Sequence, residues 1–399
     1  MKGYTILKRF VYADNAATTP VLPEVRDVML PFFGEIYGNP SSAYSKGAEA
    51  AAPLAAAREK IATLLGAKPT EIFFTASGSE ADNWAIKGVA SSMKEKGKHI
   101  ITSKFEHHAV LHALESLERE GFEVTYLDVN ENGVIDPADV EKAIRPDTIL
   151  ITIMLANNEI GTIQPIKEIA AIGKARGITT FTDAVQAVGN IPVNVKELSV
   201  DALAFSGHKI HAPKGIGVLY IRTGTRVRTL IDGGGQERGR RGGTENVAFA
   251  VGLAKALEIA TSRLDEMERV KALRDRLMQG LLDKIPYSRV NGDVNKRLAG
   301  NLNIGFEFVE GESLLMWLDA NGICASTGSA CNSASLEPSH VLLSIGVPHE
   351  RAHGSLRFTL SHENTDEDVD YILATLPSIV QRLRDMSPLY NSKMERIKE

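Results

Sequence analysis

The sequence predicts an α/β protein, a large unit with a mostly parallel, mixed sheet sandwiched by helices plus a smaller α+β unit. Three observations predict it. Short apolar runs alternate with helical stretches between residues 71 and 182, the rhythm of βαβ units that lay strands side by side in parallel. Several of these runs, 149–155 above all, are apolar throughout, as strands covered on both faces are. After Thr244 the rhythm gives way to a long helical stretch and then to short strands mixed with helices.

Turn-forming clusters at 14–20 and 38–42 flank a short helix over 24–33, and Ala, Lys, Glu and Leu at helical spacing predict a helix over 46–65. Strands are predicted at 71–75, 99–102, 123–127, 149–155, 178–182, 200–205 and 216–221. Helices are predicted from 76–80 to about 96, then over 109–120, 137–144 and 165–176. Leu264, Met267, Val270, Leu273, Leu277 and Leu281 form a heptad-like row in the long helical stretch that reaches about residue 285. The lobe boundary is placed near residue 260 within that stretch. Strands at 301–306 and 355–360 and helices at 312–320 and 366–384 make up the second lobe, and the first dozen residues are expected to pack with it. The expected division is therefore 14–260 for the large domain, with 1–13 and 261–399 for the small one. The charged tail after Pro388 is expected to fray.

Composition narrows the function classes. At 399 residues the chain is long enough for two lobes, and 43% hydrophobic with 24% charged residues is ordinary for a soluble globular protein. A net charge of −5 gives no electrostatic case for nucleic acid or an anionic membrane. No stretch approaches the roughly 18 apolar residues of a membrane span, and the first ten residues do not read as a secretion signal. Cys324 and Cys331 are the two cysteines, too few for a disulfide framework or a four-ligand zinc site. A reducing, cytoplasmic setting is expected, in which a cysteine is either packing or a working nucleophile.

Chemistry-bearing residues gather just after the predicted strands. The turn at 206–217 carries Lys209, whose amine, deprotonated in a dry pocket, can form a Schiff base. Ser206 and His208 beside it are donors suited to a phosphate. Thr75-Ala-Ser-Gly-Ser-Glu80 ends a strand and opens a helix, so Gly78 and Ser79 sit where free amides bind an anion. His107, after the strand at 99–102, is suited to stacking on a planar ring and to moving protons near neutral pH. Asn157, at the end of the most apolar run, must find partners and so orients either a ligand or its own loop. Asp183 is a carboxylate that burial would oblige to meet a cation such as a protonated pyridine nitrogen, with Gln186 one turn on. Each cluster alone also reads as ordinary: an N-cap, a surface histidine, a polar turn. Together they offer a phosphate cup, a stacking ring, a partner for a ring nitrogen and an amine for an aldehyde, the needs of pyridoxal 5'-phosphate.

The chain resembles the group I, NifS/IscS-like cysteine desulfurases of the class V aminotransferase family, which are fold-type I pyridoxal-phosphate enzymes. The resemblance runs from about Tyr12 to Ser387. It rests on Asp14-Asn-Ala-Ala-Thr-Thr, Gly38-Asn-Pro-Ser-Ser, Ala156-Asn-Asn-Glu, Thr182-Asp-Ala-Val-Gln and Ser206-Gly-His-Lys. It also rests on the run from Gly235 to Asn246 and on Ser326-Thr-Gly-Ser-Ala-Cys-Asn-Ser. The resemblance implies that Lys209 carries the cofactor, Asp183 holds its ring nitrogen, His107 stacks on the ring, and Gln186 and Asn157 contact the ring hydroxyl region. It implies phosphate contacts from Gly78, Ser79, Ser206 and His208, with Thr244 completing the phosphate site of a second copy in a homodimer. It further implies that Arg357 clamps the substrate carboxylate with help from Asn39, and that Cys331 is the nucleophile that receives sulfur from L-cysteine. The persulfide would then pass to an iron–sulfur scaffold or another sulfur-acceptor protein. Cys324, in an apolar run, reads as packing. Two positions depart from the pattern: Ser79 stands where Thr is frequent, and His362 where Arg is common. A selenocysteine lyase, an aminotransferase or a scaffold without chemistry are the alternatives.

Overall fold

The computed structural model describes residues 9–327 and 338–398. The chain enters through β1, Val11–Tyr12. It then lays down seven strands: β2 (Ile72–Thr75), β3 (His99–Ser103), β4 (Glu123–Leu127), β5 (Thr148–Thr152), β6 (Thr179–Asp183), β7 (Ala202–Ser206) and β8 (Gly217–Ile221). Their order is β2-β8-β7-β6-β5-β3-β4. β3 to β7 run parallel, and β8 runs antiparallel to both of its neighbours, β7 and β2. A strand antiparallel to two neighbours makes those neighbours parallel to each other. The carboxyl ends of β2, β3, β5, β6 and β7 therefore share one edge, where ligands of such sheets bind.

Burial on both faces explains why these strands lack a polar alternation. Trp84, Val89, Val110, Leu114, Phe181 and Leu219 pack on one face, beneath the helices Gly78–Met93 and His108–Arg119. Leu54, Ile61, Ile169, Phe205, Leu253 and Leu257 pack on the other, beneath Ser45–Leu65, Ile166–Ala175 and Val247–Ser262. At the rim, the predicted helix over 24–33 is an α-helix, Pro23–Met29, that tightens into a 3₁₀ turn at Leu30–Phe33.

A second sheet joins β9 (Ser288–Val290), β10 (Asn301–Phe306), β12 (Ser326–Thr327) and β13 (Ser355–Thr359) in the antiparallel order β12-β13-β10-β9. β11, Ile323–Cys324, pairs in parallel with β1, so the first described residues lie with this sheet. Val11 and Ala13 share its core with Val270, Leu277, Ile304, Phe358 and Ile372. The long helical stretch is broken between Ser262 and Met267 by a 3₁₀ turn, Leu264–Glu266. Side chains before the break pack on the large sheet and those after it pack on the small one. We propose that the lobe division expected near residue 260 falls at this break.

The C-terminal tail differs from expectation. Residues Pro388–Lys398 form a helix rather than a frayed end. The sequence signal was charge, but Tyr390 packs against Phe308, and Lys393 lies 4.2 Å from the centre of the Tyr287 ring. Cation–aromatic contacts of this kind recruit charged residues into order. No described helix is long and apolar enough to cross a membrane.

Candidate active site

At the shared carboxyl edge lies a cavity of about 410 Å3, inside the range of small-molecule sites. Its first wall is the turn from β2 into the helix Gly78–Met93. Ser77 caps that helix by accepting from the Glu80 amide at 3.1 Å, and the Glu80 carboxylate accepts from the Ala76 amide at 2.8 Å. The first-turn amides at Gly78 and Ser79 have no intrahelical acceptor, and the helix dipole places positive potential there. Position 78 must be glycine for a steric reason: a Cβ would lie 2.8 Å from Val185 and 3.3 Å from Ser206.

The second wall is the turn after β7. The Gly207 amide donates to Ile216 across the mouth of the turn at 3.0 Å, which closes it against the start of β8. Lys209 then points its amine at the N-terminal turn, donating to the carbonyls of Ala16 at 2.5 Å and Ala17 at 2.8 Å. His208 meets the Thr18 hydroxyl at 3.1 Å, and burial together with the charges of Lys209 and Lys214 pushes its pKa down to about 4.

The floor is acidic. Asp183, at the end of β6, accepts from the Val185 amide at 2.8 Å; burial lifts its pKa to about 6, against the pull of that hydrogen bond and of Lys209. Asp82 is 1% exposed, and one of its carboxyl oxygens has no protein partner. Burial, Asp183 and Glu106 all hold its pKa well above the ordinary value. Glu106 accepts from the Ser103 hydroxyl at 2.5 Å and from the Met154 amide at 3.1 Å, and burial lifts its pKa to about 8. Three buried carboxyls gathered this closely favour protonation or a cation. His107 caps the helix His108–Arg119 by accepting from the Ala109 amide on Nδ1 at 3.1 Å, which leaves the ring proton to Nε2. Burial first, then Lys209, pushes its pKa down to about 4, so the ring is neutral at pH 7.

Arg357 enters from β13. It donates to the Asn158 carbonyl at 2.9 Å and pairs with Asp14 at 2.9 Å, while its buried Nε has no protein acceptor. One edge of the guanidinium fork is thus held in place while a donor remains for an anion.

Nine of the residues singled out in the sequence line this cavity: Gly78, Ser79, His107, Asp183, Gln186, Ser206, His208, Lys209 and Arg357. Three do not. Asn157 was expected at the cofactor, but its amide nitrogen donates to Phe105 at 3.0 Å and its oxygen accepts from Glu159 and Ile160. It orients its own loop, and Asn158 lines the cavity instead. Asn39 is exposed and accepts from the Ser41 amide at 2.9 Å. Thr244 is exposed and lies away from this cavity. Cys331 lies outside the described residues. Cys324, expected as packing, is half-buried in β11, and burial raises its thiol pKa.

The sequence reading missed Asp82, Asp14 and the carbonyls of Ala16 and Ala17. Asp82 stands four residues after Gly78 and hence on the same helix face, a spacing that could have pointed to it. A backbone carbonyl leaves no such trace.

The class-V aminotransferase family profile matches residues 11–372. A cysteine desulfurase IscS of Methanosarcina thermophila is 58% identical over 380 residues, covering 95% of this chain and 94% of its own. A cysteine desulfurase IscS of Clostridium botulinum is 52% identical over 396 residues, covering 98% of this chain and all of its own. Among solved structures, a NifS-like protein superimposes with a TM-score of 0.89 at 41% identity, covering 94% of this chain and 100% of that one. One described as SspA in complex with cysteine gives 0.79 at 37% identity, covering 89% and 100%. These relatives come from a family of pyridoxal-phosphate-dependent enzymes. The chain belongs to the class-V aminotransferase family and, within it, to the cysteine desulfurases of the IscS and NifS kind.

Proposed function

We propose that this cysteine desulfurase binds pyridoxal 5'-phosphate in the 410 Å3 cavity and converts L-cysteine to L-alanine, leaving sulfur on Cys331. The observation that carries the reading is the meeting of the Lys209 amine with the buried Asp183 carboxyl, neutral His107 and the open amides at Gly78 and Ser79 in one cavity. The residues present suit the group. A phosphate finds the helix N-terminus, Ser79, Ser206 and His208. A protonated ring nitrogen gives the acid-rich floor the cation it calls for. The cysteine complex of SspA supports the choice of substrate.

When bound, pyridoxal phosphate supplies an electron sink that acidifies the Cα–H bond of an attached amino acid. The chain's own residues do the rest. Arg357 takes the substrate carboxylate, and Lys209, once neutral, takes the Cα proton and returns it. The Cys331 thiolate attacks the substrate sulfur: an S–S bond forms, the Cβ–S bond breaks, and its electron pair stays on Cβ. The proton from the substrate thiol ends on Cβ, passed by Lys209 or the neutral His107. Sulfur is oxidised as Cβ is reduced, so no outside oxidant enters and alanine leaves.

Thr244 lies away from this chain's own cavity, in accord with its serving the phosphate of a second copy in a homodimer. The persulfide passes to an acceptor protein of iron–sulfur cluster assembly or a related sulfur route, in a reducing cytoplasmic setting. The test is Cys331→Ser. It keeps the cofactor absorbance while persulfide and alanine formation fall about a thousandfold or more. A variant that still makes both at the parent rate overturns the assignment.

A further inference from the structure

Lys209 borders a second hollow. Behind it, between the lobes, lies a chamber of about 60 Å3 that shares Ala16, Gln186 and Lys209 with the cofactor cavity. At roughly 30 Å3 of liquid volume per molecule, it has room for about two waters. Its lining calls for hydrogen-bond donors. The side-chain oxygens of Asn15 and Asn301 are buried with no protein partner, and so is Nε2 of His362. Orphaned carbonyl oxygens disfavour an anion and suit water, which donates.

Towards the surface the chamber is bordered by half-buried Arg263, Ser361 and His362, with His211 beside them. The rings of His211 and His362 are 4.9 Å apart. The titratable groups facing the chamber are Lys209, His211, His362 and Arg263, with no Asp or Glu among the described residues that line it. Burial lowers both histidines, His362 to about 4, so both rings are neutral at pH 7. A neutral imidazole accepts a proton at one nitrogen and releases one from the other.

We propose that this chamber holds a short file of water through which Lys209 exchanges its proton with solvent, by way of His362 and His211. The proton Lys209 takes from Cα leaves for the chamber, and a solvent proton replaces it before return to carbon. The role gives His362, a departure from its relatives, a task as a positioning residue for water.

The inference rests on Lys209 acting as the base, and the experiment separates the two. The holoenzyme is incubated with L-alanine in D2O, and loss of the α-hydrogen signal is followed by NMR. This needs no sulfur transfer. Lys209→Ala must abolish the exchange; if it does not, the reading of the base fails. In Ala260→Leu, which fills the chamber, and in His362→Leu, exchange slows about tenfold with the bound cofactor's absorbance unchanged. Should Ala260→Leu not fold, His362→Leu carries the test. Unchanged exchange in the folded variants overturns the water file. So does a crystal structure of the holoenzyme with no water bonded to Asn15 or Asn301.

Discussion

On one side of Lys209, the cavity of about 410 Å3 presents Asp82 and Asp183 along its floor and an open helix N-terminus on its wall. On the other, the chamber of about 60 Å3 has histidines, an arginine and asparagine oxygens but no lining acid among the described residues. Both are buried and polar, yet they select different occupants. Buried carboxyls beside free amides demand a ligand that is cationic at one end and anionic at the other. Orphaned carbonyl oxygens in a small space demand only water. The same amine serves both because it forms part of the wall between them.

Substitutions on the cavity side sharpen this contrast. Removing the shared amine has the largest effect: Lys209→Ala lowers alanine formation from cysteine by about a thousandfold, measured by amino-acid analysis. Asp183→Ala removes one partner of a buried charge pair and weakens pyridoxal-phosphate binding by roughly 10²–10³-fold, read by fluorescence titration of the cofactor-free protein. If affinity is unchanged, the floor does not hold the ring nitrogen. Ser79→Ala removes a hydrogen bond to a charged group and weakens the same binding by about tenfold. Inorganic phosphate, which competes at that end alone, should lose affinity in parallel.

The smallest effect is on stability. The folded state raises Glu106 from 4.5 to about 8, so it keeps a proton that the unfolded chain has released. The stability this contributes is full below pH 4.5 and is lost progressively as pH rises to about 8. The Tm of the cofactor-free protein should fall across that window, and Glu106→Gln should flatten the fall. An identical slope in the two proteins would remove Glu106 from the acid-rich floor.

Much of this was legible in the sequence, for identifiable reasons. Strands buried on both faces are apolar throughout, so β2 to β8 stood out. The polar residues that end them stood out by contrast, which is how Lys209, Asp183 and His107 were found. Asn157 and Asn158 show where that approach stops. Adjacent and chemically identical, they are separated only by the turn, which aims one at its own backbone and the other at the cavity. Asp82 was hidden within a helix that gives no sign of which acid it buries. The helix at Pro388–Lys398 was hidden because its aromatic partners, Tyr287 and Phe308, lie far back in the chain.

The N-terminal turn has a consequence for the order of folding. Its carbonyls at Ala16 and Ala17 hold Lys209, while Asn15 donates to Thr359, 344 residues away, and Asp14 pairs with Arg357. During synthesis the large sheet can assemble as its strands emerge. The turn cannot be tied down until the strand carrying Arg357 and Thr359 has left the ribosome, since such distant pairings form late. A nascent chain stalled before residue 355 would own its lysine, its aspartate and its helix N-terminus, yet lack the clasp that steadies the amine. Competence therefore arrives in one late step, after nearly all of the chain has been made.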